Sequence, residues 1–227
     1  MLEGGGGYEV DNAGVSDCCS PKGYRWLFSE RRAESDAKRY RRKGLDATSR
    51  RIVDAIKRQP LQGRTLLEVG GGVGDLQIEL LKAGVASAIS IELTPTYETA
   101  ARTLLREAGL QDRVERKVMD FADANGAVPP ADIVILNRVI CCYPDMTKLA
   151  AAAADHTREF LVMSFPKNRW WIRLGLNAVN AGMRLARREF QVFLHSPDRI
   201  AATAEQRGLK SAWNKTGFVW QIVAMRR

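Results

Sequence analysis

From Leu66 to Gly74 the chain reads Leu-Leu-Glu-Val-Gly-Gly-Gly-Val-Gly, and few local sequences leave a backbone less choice. An apolar run ends in an acidic residue, glycines follow at the alternate positions Gly70, Gly72 and Gly74, and a helical pattern opens at Asp75. That order is strand, tight turn, helix. A strand reversing into a helix passes through positive φ, which glycine reaches without a Cβ penalty, and a bare main chain can touch a ligand. Dinucleotide folds share this local order, but their fingerprint is G-x-G-x-x-G. Here the third glycine comes two residues after the second, and Asp75 stands where the helix opens. A pyrophosphate seeks the bare positive end of such a helix, so an aspartate there opposes it and suits a cationic ligand instead.

The remainder alternates in the same sense. Two helices precede the first strand, at about 24–42 and 46–58, the second with Ile52, Val53 and Ile56 on one face and a stop before Pro60. Strands are expected near 65–69, 88–91, 114–119, 132–136 and 160–164, with helices near 75–82, 95–108, 145–156, 170–188 and 196–207 between and after them. The run Asp132 to Leu136 is almost wholly apolar, as a central parallel strand covered on both faces requires. Two last strands near 209–214 and 218–225 close around Gly217 as a hairpin. The expected architecture is a Rossmann-like α/β fold, about seven strands and mostly parallel, with a C-terminal antiparallel hairpin. Residues 1–60 form a mobile segment and helical cap in this reading, and 61–227 the main domain with a helical insertion at 170–188.

The polar positions of that insertion, Arg173, Asn177, Asn180, Arg184 and Arg187, fall in one narrow stripe and leave the rest apolar. Such a helix is buried on most sides, caps a substrate site, or lies against a partner or membrane surface. Gly175 and Gly182 would allow a neighbouring helix to come close.

Charge narrows the partners. The net charge is +9, and the excess sits in the N-terminal extension, Lys22 to Lys43, and after Lys167, while the glycine-turn region is near balance. A basic surface of this kind fits an acidic small molecule, nucleic acid or an anionic membrane. The four cysteines form two vicinal pairs, Cys18-Cys19 and Cys141-Cys142, unlike a secreted disulfide framework. No apolar run approaches the ~18 residues of a spanning helix. These features lead to the expectation of a cytoplasmic protein.

Glu92 ends the second strand just over twenty positions beyond the glycine turn, where a doubly wound fold brings the two strand ends together and a carboxylate can accept both hydroxyls of a ribose. With Glu68-x-Gly70-x-Gly72-x-Gly74, Glu92 and Asp120-Phe121 in place, the chain resembles class I S-adenosyl-L-methionine (SAM) dependent methyltransferases. The resemblance implies a cofactor site of Glu68, Gly70, Gly71, Gly72, Gly74, Glu92, Leu93, Asp120, Phe121 and Asn137. In it Asp120 takes the adenine amino group, Phe121 lies against the ring, and Asn137 sits near the methionine part. It also implies that the N-terminal helices cover the active site.

Within the class, about Gly63 to Pro166 resembles magnesium-protoporphyrin O-methyltransferases and related bacterial small-molecule methyltransferases. Those porphyrin enzymes tend to carry Ile-His-Tyr-Pro where this chain has Cys142 before Tyr143-Pro144, a departure that speaks against a porphyrin carboxyl as acceptor. The Asp/Asn-Pro-Pro-aromatic motif of amino-directed DNA methyltransferases is missing after the fourth strand, and no Pro-Cys or Thr-Cys nucleophile serves cytosine carbon.

The expected reaction is methyl transfer to an oxygen or nitrogen of a small, acidic acceptor, with Tyr24, Cys141, Cys142 and Tyr143 on the acceptor side and Tyr143 and His195 as candidate catalytic groups. Two alternatives are an RNA-directed methyltransferase or binding module, and a metal or metalloid (arsenite-type) methyltransferase in which Cys18, Cys19, Cys141 and Cys142 make a thiolate site. The same cysteines also read as small buried hydrophobes.

Overall fold

In a computed structural model the described residues are 24, 27–124 and 126–227. Five parallel strands, β1 (Thr65–Val69), β2 (Ser87–Glu92), β3 (Val114–Val118), β4 (Ala131–Asn137) and β5 (Thr157–Pro166), join an antiparallel pair, β6 (Lys210–Thr216) and β7 (Trp220–Arg226). The sheet order is β3-β2-β1-β4-β5-β7-β6. The chain therefore starts in the middle at β1, winds outward to β3, and returns across β1 to β4. The reversal between β1 and β4 opens a crevice at the carboxyl ends of those strands, the place where open α/β sheets bind ligands.

Each face of the sheet has its own core. Helices α1 (Glu30–Lys43), α2 (Ala47–Ile56), α3 (Asp75–Lys82) and α4 (Glu98–Glu107) cover one face, where Ile52, Ile56, Leu66, Leu80, Ile135 and Val162 share a single cluster. On the other, α5 (Met146–Asp155) and α7 (Pro197–Glu205) pack over Leu67, Val134, Leu136 and Leu161. Strand β4 contributes to both clusters, which explains why its sequence shows no alternation. The N-terminal helices are tied to the body by polar contacts too: Tyr40 donates to Glu79 at 2.6 Å, Tyr97 donates to Asp36 at 3.0 Å, and Arg41 forks onto Glu107 with both bonds at 2.8 Å.

Two expectations need correction. Strand β5 runs Thr157–Pro166, longer at both ends than its apolar centre, because β4 pairs with it from Thr157 and the antiparallel partner β7 from Phe160 to Pro166. Of the three readings that the insertion helix α6 (Trp170–Leu185) allowed, burial on most sides is the one that fails: Ile172 is its one buried residue, and neither Gly175 nor Gly182 has a neighbour within 4 Å of a Cβ position.

Candidate cofactor and acceptor site

The turn after β1 takes the form its glycines require. Gly70, Gly72 and Gly74 have φ of 65°, 59° and 78°. At Gly70 an added Cβ would also lie 2.6 Å from Val139 Cγ2, so both the conformation and the space exclude a side chain. Beneath the loop, Glu68 and Gln77 are fully buried, and their side-chain polar atoms have no hydrogen-bond partner among the described residues. Glu68 thus stands behind the loop rather than in the cavity, where Gly71 has no room for a Cβ beside its carboxyl group. Burial pushes the Glu68 carboxyl up to about 8, with the Asp75 and Glu92 charges adding to the effect.

A cavity at the β1/β4 switch point is walled by the glycine loop, by the ends of β2, β3 and β4, and by α1 and the first turn of α2. Glu92 reaches it from the end of β2 and accepts from the Gly72 N–H at 2.5 Å. Burial raises the Glu92 carboxyl to about 7, against the opposing pull of the Arg116 guanidinium and the Gly72 N–H. Arg116, its side chain only 1% exposed, bonds Glu98 at 2.8 Å, Ser90 at 3.1 Å and the Gly72 carbonyl at 3.2 Å, and so braces the loop from below. Its long-range role could not be seen in the sequence Val-Glu-Arg-Lys-Val, which reads as an ordinary polar edge strand.

At the end of β3, Asp120 caps a short turn by accepting from Ala122 N–H at 2.9 Å, and its other oxygen accepts from the Tyr143 hydroxyl at 2.9 Å. Ile91, Leu93, Met119, Phe121 and Leu149 give this end of the cavity an apolar lining. Phe121 is 3% exposed and meets His156 edge-on at 5.0 Å on the side facing α5.

The far end is built around Asn137 and by residues that the sequence did not single out. Arg138, directly after β4, has φ 63° although it is not glycine. Such a conformation costs about 1–2 kcal/mol in an L-residue and is held here by its surroundings. Its N–H bonds the Ser164 carbonyl at 3.1 Å, its guanidinium lies 5.2 Å from the Trp220 ring centre, and it pairs with Asp46 at 2.6 Å. Asp46 also caps α2 through the Thr48 and Ser49 N–H groups at 2.8 and 3.1 Å. Burial works to raise the Asp46 carboxyl, but Arg138 and the two N–H groups outweigh it and hold it below the ordinary range. Asn137 adds a second clamp: its Oδ1 accepts from Ser164 at 2.6 Å and its Nδ2 donates to Ser49 at 3.2 Å. The start of α2 is therefore locked over the carboxyl edge of β4. The sequence carried one usable sign of this, the Asp-Ala-Thr-Ser start of a helix.

Tyr24 and Phe28 stack at 5.9 Å, and Phe190 meets both edge-on at 5.5 and 6.0 Å, forming an aromatic wall beside Cys142. The Tyr24 hydroxyl donates to the Cys142 carbonyl. Cys142 faces the cavity, whereas Cys141 is buried with its sulfur 3.9 Å from that of Cys142. Cys18 and Cys19 lie outside the described residues, and among the described residues no group of three metal-ligating side chains occurs.

His195 is the other catalytic candidate. Its Nε2 bonds the Tyr143 carbonyl at 2.9 Å, its ring stacks on Phe193 at 5.6 Å, and it does not line the cavity. Tyr143 does line the cavity, with its hydroxyl donating to Asp120 at 2.9 Å. Tyr143→Phe is expected to raise the cofactor KM less than about tenfold with kcat unchanged, because Asp120 loses a supporting donor and keeps both of its acceptor oxygens. A fall in kcat of about a hundredfold in steady-state kinetics would instead make the phenol a base.

The cavity is acidic on balance. Five carboxyl groups line it, Asp36, Asp46, Asp75, Glu92 and Asp120, against three guanidinium groups, Arg32, Arg39 and Arg138. The basic surplus of the chain therefore lies elsewhere.

Sheet order, alternate-glycine turn and acidic strand ends together define the class I methyltransferase architecture. Solved structures agree in fold. Magnesium protoporphyrin IX methyltransferase from Synechocystis PCC 6803, with bound SAH, superposes with a TM-score of 0.69 over 91% of this chain and 97% of that one at 17% identity. An O-methyltransferase family protein from Burkholderia thailandensis gives 0.66 over 89% of this chain and 61% of that one at 20% identity. In sequence, ribosomal protein L11 methyltransferase of Enterobacter sp. (strain 638) is 34% identical over 77 residues, which are 34% of this chain and 25% of that protein. The Deinococcus radiodurans protein of the same description is 31% identical over 97 residues, 41% of this chain and 36% of that one. The matched stretch thus spans about a quarter to a third of the length of these curated relatives. No family model matches the chain.

Proposed function

We propose that this chain is a SAM-dependent methyltransferase acting on an oxygen or nitrogen of a small, largely apolar acceptor. The observation that carries this reading is the convergence of the Gly70–Gly74 turn, Glu92 and Asp120 on one acidic cavity at the sheet's switch point. The residues present fit the cofactor. A carboxylate stands where ribose hydroxyls need an acceptor, an apolar slot with Asp120 at its edge suits adenine, and the surplus of carboxyl groups suits a cation. The solved porphyrin enzyme with SAH bound and the methyltransferase names of the curated relatives favour the same class.

SAM, when bound, supplies a methyl group on a sulfonium with a neutral leaving group. The chain's own part is alignment and exclusion of water. Glu92, Asp120 and the glycine turn hold one end of the cavity. The Asn137–Ser49 and Arg138–Asp46 clamps keep α2 over the other end, and the Tyr24, Phe28 and Phe190 rings pack together as a wall beside it. Such positioning supplies a large part of the rate in a methyl transfer. The aromatic wall sets the acceptor preference, since Arg39 and Arg138 are already paired to Asp36 and Asp46 and Arg32 lies over the Phe28 ring at 6.0 Å.

The reading is tested by following SAH release in a screen of phenols, hydroxylated aromatics, amines and short carboxylic acids, with RNA and ribosomal protein as further arms. Turnover on an aromatic hydroxyl or amine, lost in Phe28→Ala, is the expected result. Turnover confined to the macromolecules would overturn the acceptor assignment.

A further inference from the structure

Helix α6 is amphipathic in an unusual way: the face it turns outward is apolar. Positions 170, 174, 178, 181 and 185, spaced four, four, three and four, fall on one stripe, and all five residues are exposed, Trp170 at 76%, Leu174 at 63% and Leu185 at 88%. Phe218, 81% exposed on the β6–β7 turn, extends the patch, its ring 5.0 Å from that of Trp171. The opposite side seats the helix. Ile172 is buried there, and Asn180 exchanges two hydrogen bonds with the Val192 backbone, at 2.8 and 2.9 Å. The bare stripe is therefore not the face by which the helix packs.

Charge identifies what covers it. Between Lys167 and Arg188 the sequence holds six basic residues, Lys167, Arg169, Arg173, Arg184, Arg187 and Arg188, and no aspartate or glutamate. A second copy laid stripe to stripe would bring these charges against their own kind. A nucleic acid would satisfy the charges and leave Trp170, Leu174 and Leu185 in water. An anionic lipid surface satisfies both, with apolar side chains entering the acyl boundary and basic ones meeting the headgroups. The helix has 16 residues, and among the described residues no helix is long and apolar enough to cross a membrane, so it lies in the interface plane.

We propose that α6, with Phe218, docks the protein on anionic membrane surfaces. This docking stands independently of the methyl-transfer reading. The same seat reaches the cavity wall: the segment after α6 bonds the Cys141 carbonyl through Phe193 N–H at 2.7 Å and places Phe190 against Tyr24 and Phe28.

The test is co-sedimentation of the full chain with vesicles of phosphatidylglycerol and phosphatidylcholine, against vesicles of phosphatidylcholine alone. Partitioning onto the anionic vesicles is expected to be roughly tenfold stronger or more, and to weaken in high salt. A Trp170→Ser, Leu174→Ser, Leu185→Ser variant is expected to lose at least about tenfold of that partitioning while keeping its thermal midpoint, since the three side chains are exposed. Arg173→Gln with Arg184→Gln is expected to narrow the gap between the two vesicle types. No partitioning onto anionic vesicles, equal partitioning of the triple variant, or a dimer in sedimentation equilibrium that the triple variant abolishes would each overturn the proposal. RNA binding that survives in the triple variant and displaces the chain from vesicles would overturn it as well.

Discussion

Replacing Glu92 by alanine is expected to weaken SAM binding about a hundredfold, measured by calorimetric titration. The carboxylate sits at the end of β2 in the cavity wall, with one oxygen on the Gly72 N–H and its charge supported by buried Arg116. Two hydroxyl donors on a carboxylate are charge-assisted bonds worth about 1.5–3 kcal/mol each, so losing both removes about two orders of magnitude or more. Asp120→Ala removes an acceptor that already serves Tyr143 and Ala122, and about a tenfold loss is expected. Glu92→Gln keeps one acceptor and belongs between the two. Unchanged affinity in all three would place the cofactor somewhere other than this cavity.

The second large effect is on stability. Burial raises Glu68 to about 8, Glu92 to about 7 and Asp75 to about 6, all above their unfolded values. Between the unfolded value and the raised one, the folded state holds a proton that the unfolded state has released. Stability must then fall as pH climbs, for Glu68 over the window from the ordinary carboxyl value of 4.5 to about 8. Each such group contributes at most about 1.4 kcal/mol per pH unit, and the Glu68 carboxyl interacts with those of Asp75 and Glu92, so the ligand-free protein is expected to be less stable at pH 8 than at pH 5 by less than three independent groups would give. Thermal melts across that range check the sign. Glu68→Gln, neutral throughout, is expected to flatten the slope and to melt above the wild type at pH 8. A cationic ligand favours the ionised carboxylates, so SAM affinity is expected to rise from pH 6 to pH 8. A wild-type midpoint that rises steadily over the same interval would contradict the buried-carboxyl account.

How far the sequence carried depended on the range over which each feature is encoded. Strand β1 and helix α3 have the bounds the sequence indicated, because the glycines and Asp75 act on their immediate neighbours. The order of elements and the closing hairpin were legible for the same reason. The Arg138–Asp46 pair joins residues 92 apart, and Arg116 reaches Gly72 across 44, so neither leaves a local pattern. The α6 helix was undecided for a different reason. Its apolar side chains allowed burial, a cap over the site or a partner surface, because hydropathy records what a residue prefers and not what covers it, and nothing in the described fold covers Trp170 or Leu185. The basic surplus likewise suggested an acidic acceptor, whereas carboxyl groups outnumber guanidinium groups around the cavity. His195 stood on a loop that passes the site, and only the fold shows its ring turned to the Tyr143 carbonyl.

The most direct measurement is calorimetric titration of SAM, and separately of SAH, into the folded wild-type chain. One saturable site per chain with an affinity in the micromolar range, lost in Gly70→Val, is the result this account requires. Absence of binding by a chain shown to be folded, or binding that Gly70→Val leaves unchanged, would contradict it.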